Sequence, residues 1–584
     1  MRSLLLSRAD LDFLLHDWLD VESLTARERY AEHGRETFDA ALDLCAEIAT
    51  QHFAPHNRAA DLDEPRFDGE RVHIIPEVGA ALKVLAEAGV IGAGLPVQVG
   101  GLQLPQTVVQ ACFLWFQAAN IATAAYPFLT VAAANLLLAH GSPEQVRTYV
   151  EPMVEGRWFG TMCLSEPQAG SSLADVATRA EPQADGTYRL VGHKMWISGG
   201  EHDLAENIVH LVLARIPGGP AGVKGISLFV VPKVLPDGSR NDVALAGLNH
   251  KVGYRGTVNT VLNFGEAGGA VGFLVGEAHH GLAYMFHMMN EARVGVGAGA
   301  AALGYTGYLH ALDYARSRTQ GRLPGARSGP PVRIVEHADV VRMLLAQKCY
   351  AEGAVALVLY CARLLDEQRT GATAEDRDAA LMLLDVLTPI AKSWPSQWCL
   401  VANDLAIQVH GGYGYMREYP VEQFWRDNRL NPIHEGTHGI QGLDLLGRKV
   451  VQNGGAGLAL LIATIGATLE RAVAAGGQAA EHAAALAAAV ERVRDVTVTL
   501  WSADDVAVTL ANSSVYLEAV GHVVVAWMWL EQELAAGGRT GDLFDGKRAA
   551  ARYFFRYELP RTGPQFDLLA SLDRTTIDMR EQWL

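Results

Sequence analysis

The sequence predicts a mostly α-helical chain with a β-domain inserted in its middle and a helical extension at its end. Three observations carry this. Before about residue 158, apolar residues recur at three- to four-residue intervals. Between Gly160 and Gly276 the apolar runs become short and β-branched, bounded by Gly, Pro, Asn or Asp. From Gly281 onward, long helical patterns return. We therefore divide the chain into an N-terminal helical extension (1–35), a helical domain (36–158), a β-domain (159–280), a helical domain (281–453) and a C-terminal helical domain (454–584).

Each element has its own signal. Leu11, Leu14, Leu15, Trp18 and Leu19 alternate with acids, which predicts a short amphipathic helix that must pack on something else, being too short to fold alone. Phe38, Leu42, Cys45 and Ile48 form one helical stripe. Val84, Leu85, Val90 and Ile91 lead into the turn at Gly100–Gly101. Ile208–Ile216, Gly225–Val231 and Thr257–Phe264 read as strands, and 355–365 and 381–390 as helix. Beyond Gly454 the chain is Ala-rich and helical over 483–490 and 515–534, without motif chemistry, and we assign it to packing or assembly.

The chain has 584 residues, 49% of them hydrophobic, enough for several packed domains at about 100–200 residues each. Its 48 basic and 65 acidic residues give a net charge of -17, which opposes binding to nucleic acid or anionic membrane surfaces, and residues 455–584 are acidic too. Six scattered cysteines form no CxxC pair, so neither a disulfide scaffold nor a metal site is expected and they read as buried free thiols. Asp10, Asp12, Asp17 and Asp20 interrupt the leading Leu4–Leu6 run before a signal peptide's apolar core could form. We expect no membrane-spanning run, and a soluble, cytoplasmic protein.

The candidate base lies in Asn431–Gln441. Glu435 stands on a Pro/Gly-punctuated turn, Thr437 is positioned to cap the helix that follows, and Ile440, Leu443, Leu446 and Val450 give that helix its stripe. Free amides at the helix start favour ionised Glu435 and burial opposes it. The plain alternative is a solvated loop Glu beside a capping Thr. Four other stretches could carry chemistry. Thr161–Ser172 surrounds a Pro/Gly turn with hydroxyls. Lys194–Gly200 sets Trp196 and Ser198 two residues apart, on one face of a strand, where they could hold a flat heterocycle or merely fill a core. Arg318–Arg322 and Gln408–Gly414 pair donors with glycines that allow close backbone approach. None fits a phosphate-binding Walker loop or a GxGxxG fingerprint.

Taken together and in this order, these motifs resemble the acyl-CoA dehydrogenase family over about residues 36–452, and the leading helix and the extension resemble its long subgroup. The resemblance implies a helical domain, a β-barrel-like middle domain and a four-helix bundle, with FAD as cofactor. It implies that Met162, Leu164 and Ser165 touch the flavin ring, that Ser171 lies near the pyrophosphate and substrate, that Trp196 flanks the ring and that Ser198 approaches N5. Arg318 and Gln320 match an RxQ element. Gln408, Val409, Gly411 and Gly412 match a segment that reaches the adenine half of FAD across a subunit interface, which implies a homodimer. In the matching EGT motif Glu435 is the base, Gly436 lies on the substrate side and Thr437 contacts FAD. Arg293 matches the residue that contacts the CoA-bearing substrate, whereas Asn290 stands where that element's leading acid would.

The implied reaction is α,β-dehydrogenation of an acyl-CoA thioester to a trans-2-enoyl-CoA, as in fatty acid β-oxidation, with an electron-transferring flavoprotein as acceptor. Competing readings are an acyl-CoA oxidase, which passes electrons to oxygen, a DNA-binding flavoprotein on the same fold, which the acidic charge opposes, and a nitroalkane oxidase, in which an Asp would stand at 435.

Overall fold

The computed structural model describes residues 3–584, the side chain of His287 excepted. The chain forms two compact units, one of residues 36–105 and 115–292, the other of 3–35, 106–114 and 293–584.

In the first unit, the helix Arg35–Ile48 buries the expected stripe of Phe38, Leu42, Cys45 and Ile48. The long helix Gln106–His140 is interrupted at Asn120, whose backbone is non-helical and whose side-chain oxygen accepts from the Thr123 amide. The β-domain is one eight-stranded sheet. In spatial order it runs Ala270–Leu274, Ile226–Pro232, Asn207–Arg215, Arg179–Pro182, Tyr188–Ser198, Asn259–Phe264 and Val243–Leu248. Trp158–Cys163 pairs in parallel with Asn207–Arg215, in the register Trp158↔Asn207 to Cys163↔Val212. Ala270–Leu274 also pairs with Tyr188–Ser198, which closes part of the sheet on itself.

The continuous apolar runs have a simple cause, since both faces of the central strands are covered. Val209, Leu211 and Leu213 join Leu228 and Val230 in a core with Leu136, Leu137, Met153 and Met285, while Val212 and Ala214 join Phe229, Val231, Leu262 and Phe264 on the opposite side. The three expected strands are present. The strand read at Trp196 and Ser198 is the end of Tyr188–Ser198, whereas Val243–Leu248 and the shorter strands were not expected. Thr161–Cys163, expected as part of a loop, is the end of a strand.

The second unit holds the helix Gly281–Ser317 from Arg293 onward, together with Ala338–Thr370, Ala374–His410, the N-terminal segment and all helices after Gln452. Leu11, Leu14, Leu15 and Leu19 are buried as expected. The leading segment is α-helical only over Arg8–Asp12 and continues as a π-turn, Phe13–Trp18. Asp10 meets Lys547, and Trp18 donates to Glu531, so this segment packs on the C-terminal helices. The helix Ser513–Ala536 is buried along most of its length. It touches the bundle through Trp529, whose ring N–H donates to the Cys349 carbonyl, and through His522, which accepts from Trp394. All six cysteines are buried and free.

Two expectations need correction. Leu443 is exposed, because the helix His438–Asp444 passes into a π-turn at Leu445–Lys449 that shifts the buried face to Gln441, Gly442, Leu445 and Leu446. The expectation of no apolar run long enough to cross a membrane also fails. No Asp, Glu, Lys or Arg stands between Glu87 and Glu144, and four helices are long and apolar enough by length and composition. In Gln106–His140, Ala338–Thr370 and Ser513–Ala536 most of the apolar window is buried within the protein; in Gln452–Ala475 only 28% is.

Candidate active site

In the β-domain, a buried ion pair organises two of the motifs. Lys194 Nζ lies 2.9 Å from Glu166 Oε1 and also donates to the Leu164 carbonyl at 3.0 Å, while the Met195 amide donates to the Ser165 carbonyl at 2.9 Å. Glu166 further accepts from the Thr178 hydroxyl and from the Ala177 and Thr178 amides. Burial works against its charge, but Lys194, Thr178 and Ala177 outweigh it and hold the carboxyl at about 2. The segment 162–171 is thus stapled to the strand Tyr188–Ser198.

That strand carries a bulge between Lys194 and Ile197, and Trp196 sits in it at φ +65°. A left-handed backbone is costly for a bulky residue and persists only where its surroundings enforce it. Trp196 is 58% exposed, Ile197 buried and Ser198 half-buried, so burial alternates as expected although the strand is irregular. Ser198 Oγ accepts from Asn259 Nδ2 at 3.1 Å. Met162, Leu164 and Ser165 are half-buried and Ser171 is exposed. An exposed indole on a rigid bulge, with a thioether and hydroxyls in the stapled segment, is a donor set that fits a flat heterocycle.

In the other unit, Glu435 is itself left-handed, φ +57°, followed by Gly436 at φ +93°. Thr437 caps the next helix as expected, Oγ1 accepting from the Ile440 amide. At φ +93° the Gly436 backbone is strained for any other residue, and a Cβ there would displace Gln441 Nε2, which it would meet at 2.6 Å. Gln441 Nε2 donates to the Glu435 carbonyl at 2.9 Å, and Lys392 Nζ to the Gly436 carbonyl at 2.5 Å. Burial raises the Glu435 carboxyl above its ordinary value, against the pull of the Arg293 and Lys392 cations. Of the two opposed effects that the sequence left open, burial wins. Arg293 is itself buried and ion-paired with Asp444 at 3.1 Å. Asn290 is half-buried, three residues before it.

Two further motifs meet on the surface of this same unit. Arg318 donates to Gln320 Oε1 and stacks over the Tyr413 ring at 5.8 Å. Gln408 is exposed, Val409 buried, and Gly411 turns the chain at φ +61° into exposed Gly412. Glu435 and Gly436, by contrast, belong to the turn ahead of the helix His438–Asp444.

The sequence reading missed Glu166, Lys194, Lys392, Gln441 and Asp444. A signal existed for Lys392. It is the sole Asp, Glu, Lys or Arg between Asp385 and Asp404, inside an apolar helix, where an unpaired charge is expensive.

Comparison with known proteins identifies the domains. The N-terminal domain of acyl-CoA dehydrogenase matches residues 35–157, the middle domain 161–266, the C-terminal domain 279–450, and the acetyl-CoA dehydrogenase C-terminal-like domain 461–580. The chain is 37% identical to 3-methylmercaptopropionyl-CoA dehydrogenase of Ruegeria pomeroyi over 92% of its own length and 93% of that protein's. It is 33% identical to the broad-specificity linear acyl-CoA dehydrogenase FadE5 of Mycobacterium tuberculosis, over 93% and 94%. Among solved structures, Caenorhabditis elegans ACDH-11 in complex with C11-CoA shares the fold at a TM-score of 0.78 and 19% identity, covering 98% of this chain and 93% of that one. The domain matches and the two long relatives show that this chain belongs to the acyl-CoA dehydrogenase family.

Proposed function

We propose that this FAD-dependent acyl-CoA dehydrogenase takes the α-proton of an acyl-CoA thioester onto Glu435 and releases a trans-2-enoyl-CoA. The observation that carries the reading is the Glu435 turn. A single carboxylate is held left-handed by two buried side-chain donors, with its proton affinity raised by burial. A carboxylate so raised is a stronger base once ionised, and its fixed backbone limits the geometries open to it. FAD, when bound, supplies the electron sink for hydride from the β-carbon. In this reading Met162, Leu164, Ser165, Trp196 and Ser198 hold the flavin ring, Ser171 and Thr437 its remaining polar atoms, and Ser171, Arg293 and Gly436 lie along the substrate.

A homodimer is the proposed assembly, in which Arg318, Gln320, Gln408, Val409, Gly411 and Gly412 serve the partner's FAD. Its support is the surface beside them, where Tyr413, Met416 and a 90% exposed Tyr415 are left in solvent by one chain. An electron-transferring flavoprotein as acceptor rests on the family resemblance, and a cytoplasmic location on the acids that interrupt the leading Leu4–Leu6 run. The relatives' names motivate thioether and straight-chain acyl groups as first substrates to try. Anaerobic flavin bleaching against acyl-CoAs of graded length and branching, one of them a thioether, tests class and substrate together. Rapid reoxidation by air after bleaching would favour an oxidase instead.

A further inference from the structure

Lys392 is a buried cation for which the reaction, as described, has no use. Its side chain is fully enclosed in the helix Ala374–His410, and among the described residues it makes no ion pair within 4 Å; its hydrogen bond goes to a carbonyl, that of Gly436. Its position is fixed by a close helix crossing. At Gly297 a Cβ would lie 1.9 Å from the Ala391 carbonyl oxygen, so only glycine lets the helix Gly281–Ser317 approach the residue preceding Lys392. The carbonyls of Glu435 and Gly436 are thus held by two side chains from opposite directions in sequence, Gln441 from the following helix and Lys392 from the bundle. Both donors are completely buried, which makes loss of either bond expensive.

We propose that Lys392 is a positioning residue for the reaction, clamping the Gly436 carbonyl, together with Gln441 on the preceding one, so that the left-handed Glu435–Gly436 turn is held and a cation stands beside the base. The inference rests on the reading of Glu435 as that base. The charged and titratable groups around Lys392 are Glu435 and Arg293, whose charge Asp444 shares, and His434 and His438, the latter also sensing Glu518 and Arg429. Burial pulls the Lys392 ammonium down to about 7. An unfolded lysine keeps its proton up to about 10.5, so between these values the unfolded chain binds the extra proton. Lys392 therefore makes folding less favourable at low pH, and this cost is relieved as pH rises from about 7 to 10.5.

The test uses the flavin-loaded variant Lys392→Met. Anaerobic flavin reduction by acyl-CoA should slow by about tenfold or more, and the acidic limb of its pH profile should move to higher pH, because Glu435 has lost a neighbouring cation. A residue that only packs would lower the melting temperature and leave that limb in place. A second readout is independent of turnover. The gain in thermal stability between pH 7 and 10.5 should be smaller in the variant than in the wild type. If Lys392→Met does not retain flavin, Lys392→Gln, which keeps a donor without the charge, carries the same two measurements and should show the shifted limb with a smaller loss of rate. An unmoved limb with a rate within about twofold of wild type would overturn the proposal. Wild type that no acyl-CoA reduces would instead overturn the functional reading, and the stability comparison would still judge the buried charge.

Discussion

Lys194 and Glu166, 28 residues apart in sequence, face each other 2.9 Å apart with both side chains buried, and through them the segment 162–171 is fixed to the strand that bears Trp196 and Ser198. Removing one partner leaves the other as an uncompensated buried charge. Lys194→Met should destabilise the β-domain by about 3–5 kcal/mol, seen in denaturant unfolding, and should lower flavin content. Lys194→Met combined with Glu166→Gln should cost less than Lys194→Met alone.

Trp196 separates ligand binding from stability. Its side chain is mostly exposed, so Trp196→Ala should change unfolding stability within about 0.5 kcal/mol. FAD affinity, measured by recovery of flavin fluorescence on dilution, should fall clearly, since the exposed indole is the proposed stacking plane. Unchanged affinity would mean that Trp196 does not flank the ring.

Acid should unfold the β-domain early. His202 and His210 are both held at about 3, the first by burial and the Lys233 charge, the second by burial and the Arg240 charge. With unfolded values near 6.5, the unfolded chain binds their protons first as pH falls. Their contribution is therefore whole above about 6.5 and is lost between there and about 3, at about 1.4 kcal/mol per unit of difference. Replacing His210 by Gln should flatten the fall in melting temperature across that window.

The C-terminal helices should not be separable from the bundle. Lys547, completely buried, meets both Asp10 of the leading segment and Glu352 of the helix Ala338–Thr370, and Trp527 and Trp529 are wholly enclosed. Cutting the chain at Gly454 should therefore give aggregation or a changed oligomer, read by sedimentation, rather than a soluble enzyme of normal activity. Lys547→Met should cost about 3–5 kcal/mol and expose the N-terminal segment to protease.

Periodicity made the helices legible, and the strands where both faces are buried: Phe38, Leu42, Cys45 and Ile48 lie where a helical stripe puts them, and Ile208–Ile216 matches the inner strand Asn207–Arg215 within a residue at each end. Strands with one polar face, such as Val243–Leu248, gave no run to read. At the site, residues with recognisable chemistry were found, Glu435 and the Thr437 cap among them. Those that hold them were not, because Lys392 and Lys194 act on backbone carbonyls or a charge 28 or more residues away, and Gln441 through a turn whose left-handed form no local propensity announces. The charge-free run between Glu87 and Glu144 shows the converse failure: composition alone cannot distinguish a helix buried in protein from one buried in lipid.

The most direct measurement is stopped-flow, anaerobic reduction of the flavin by an acyl-CoA in Glu435→Gln. This change keeps the size and most of the hydrogen bonding of the side chain but removes its capacity to accept the α-proton. We predict that FAD binding and the spectral shift on adding acyl-CoA survive, while reduction slows by at least ~10²-fold, as expected for loss of a general base. A variant reduced within a few-fold of the wild-type rate would contradict the assignment, and Glu435 would then be a loop carboxylate beside a helix cap.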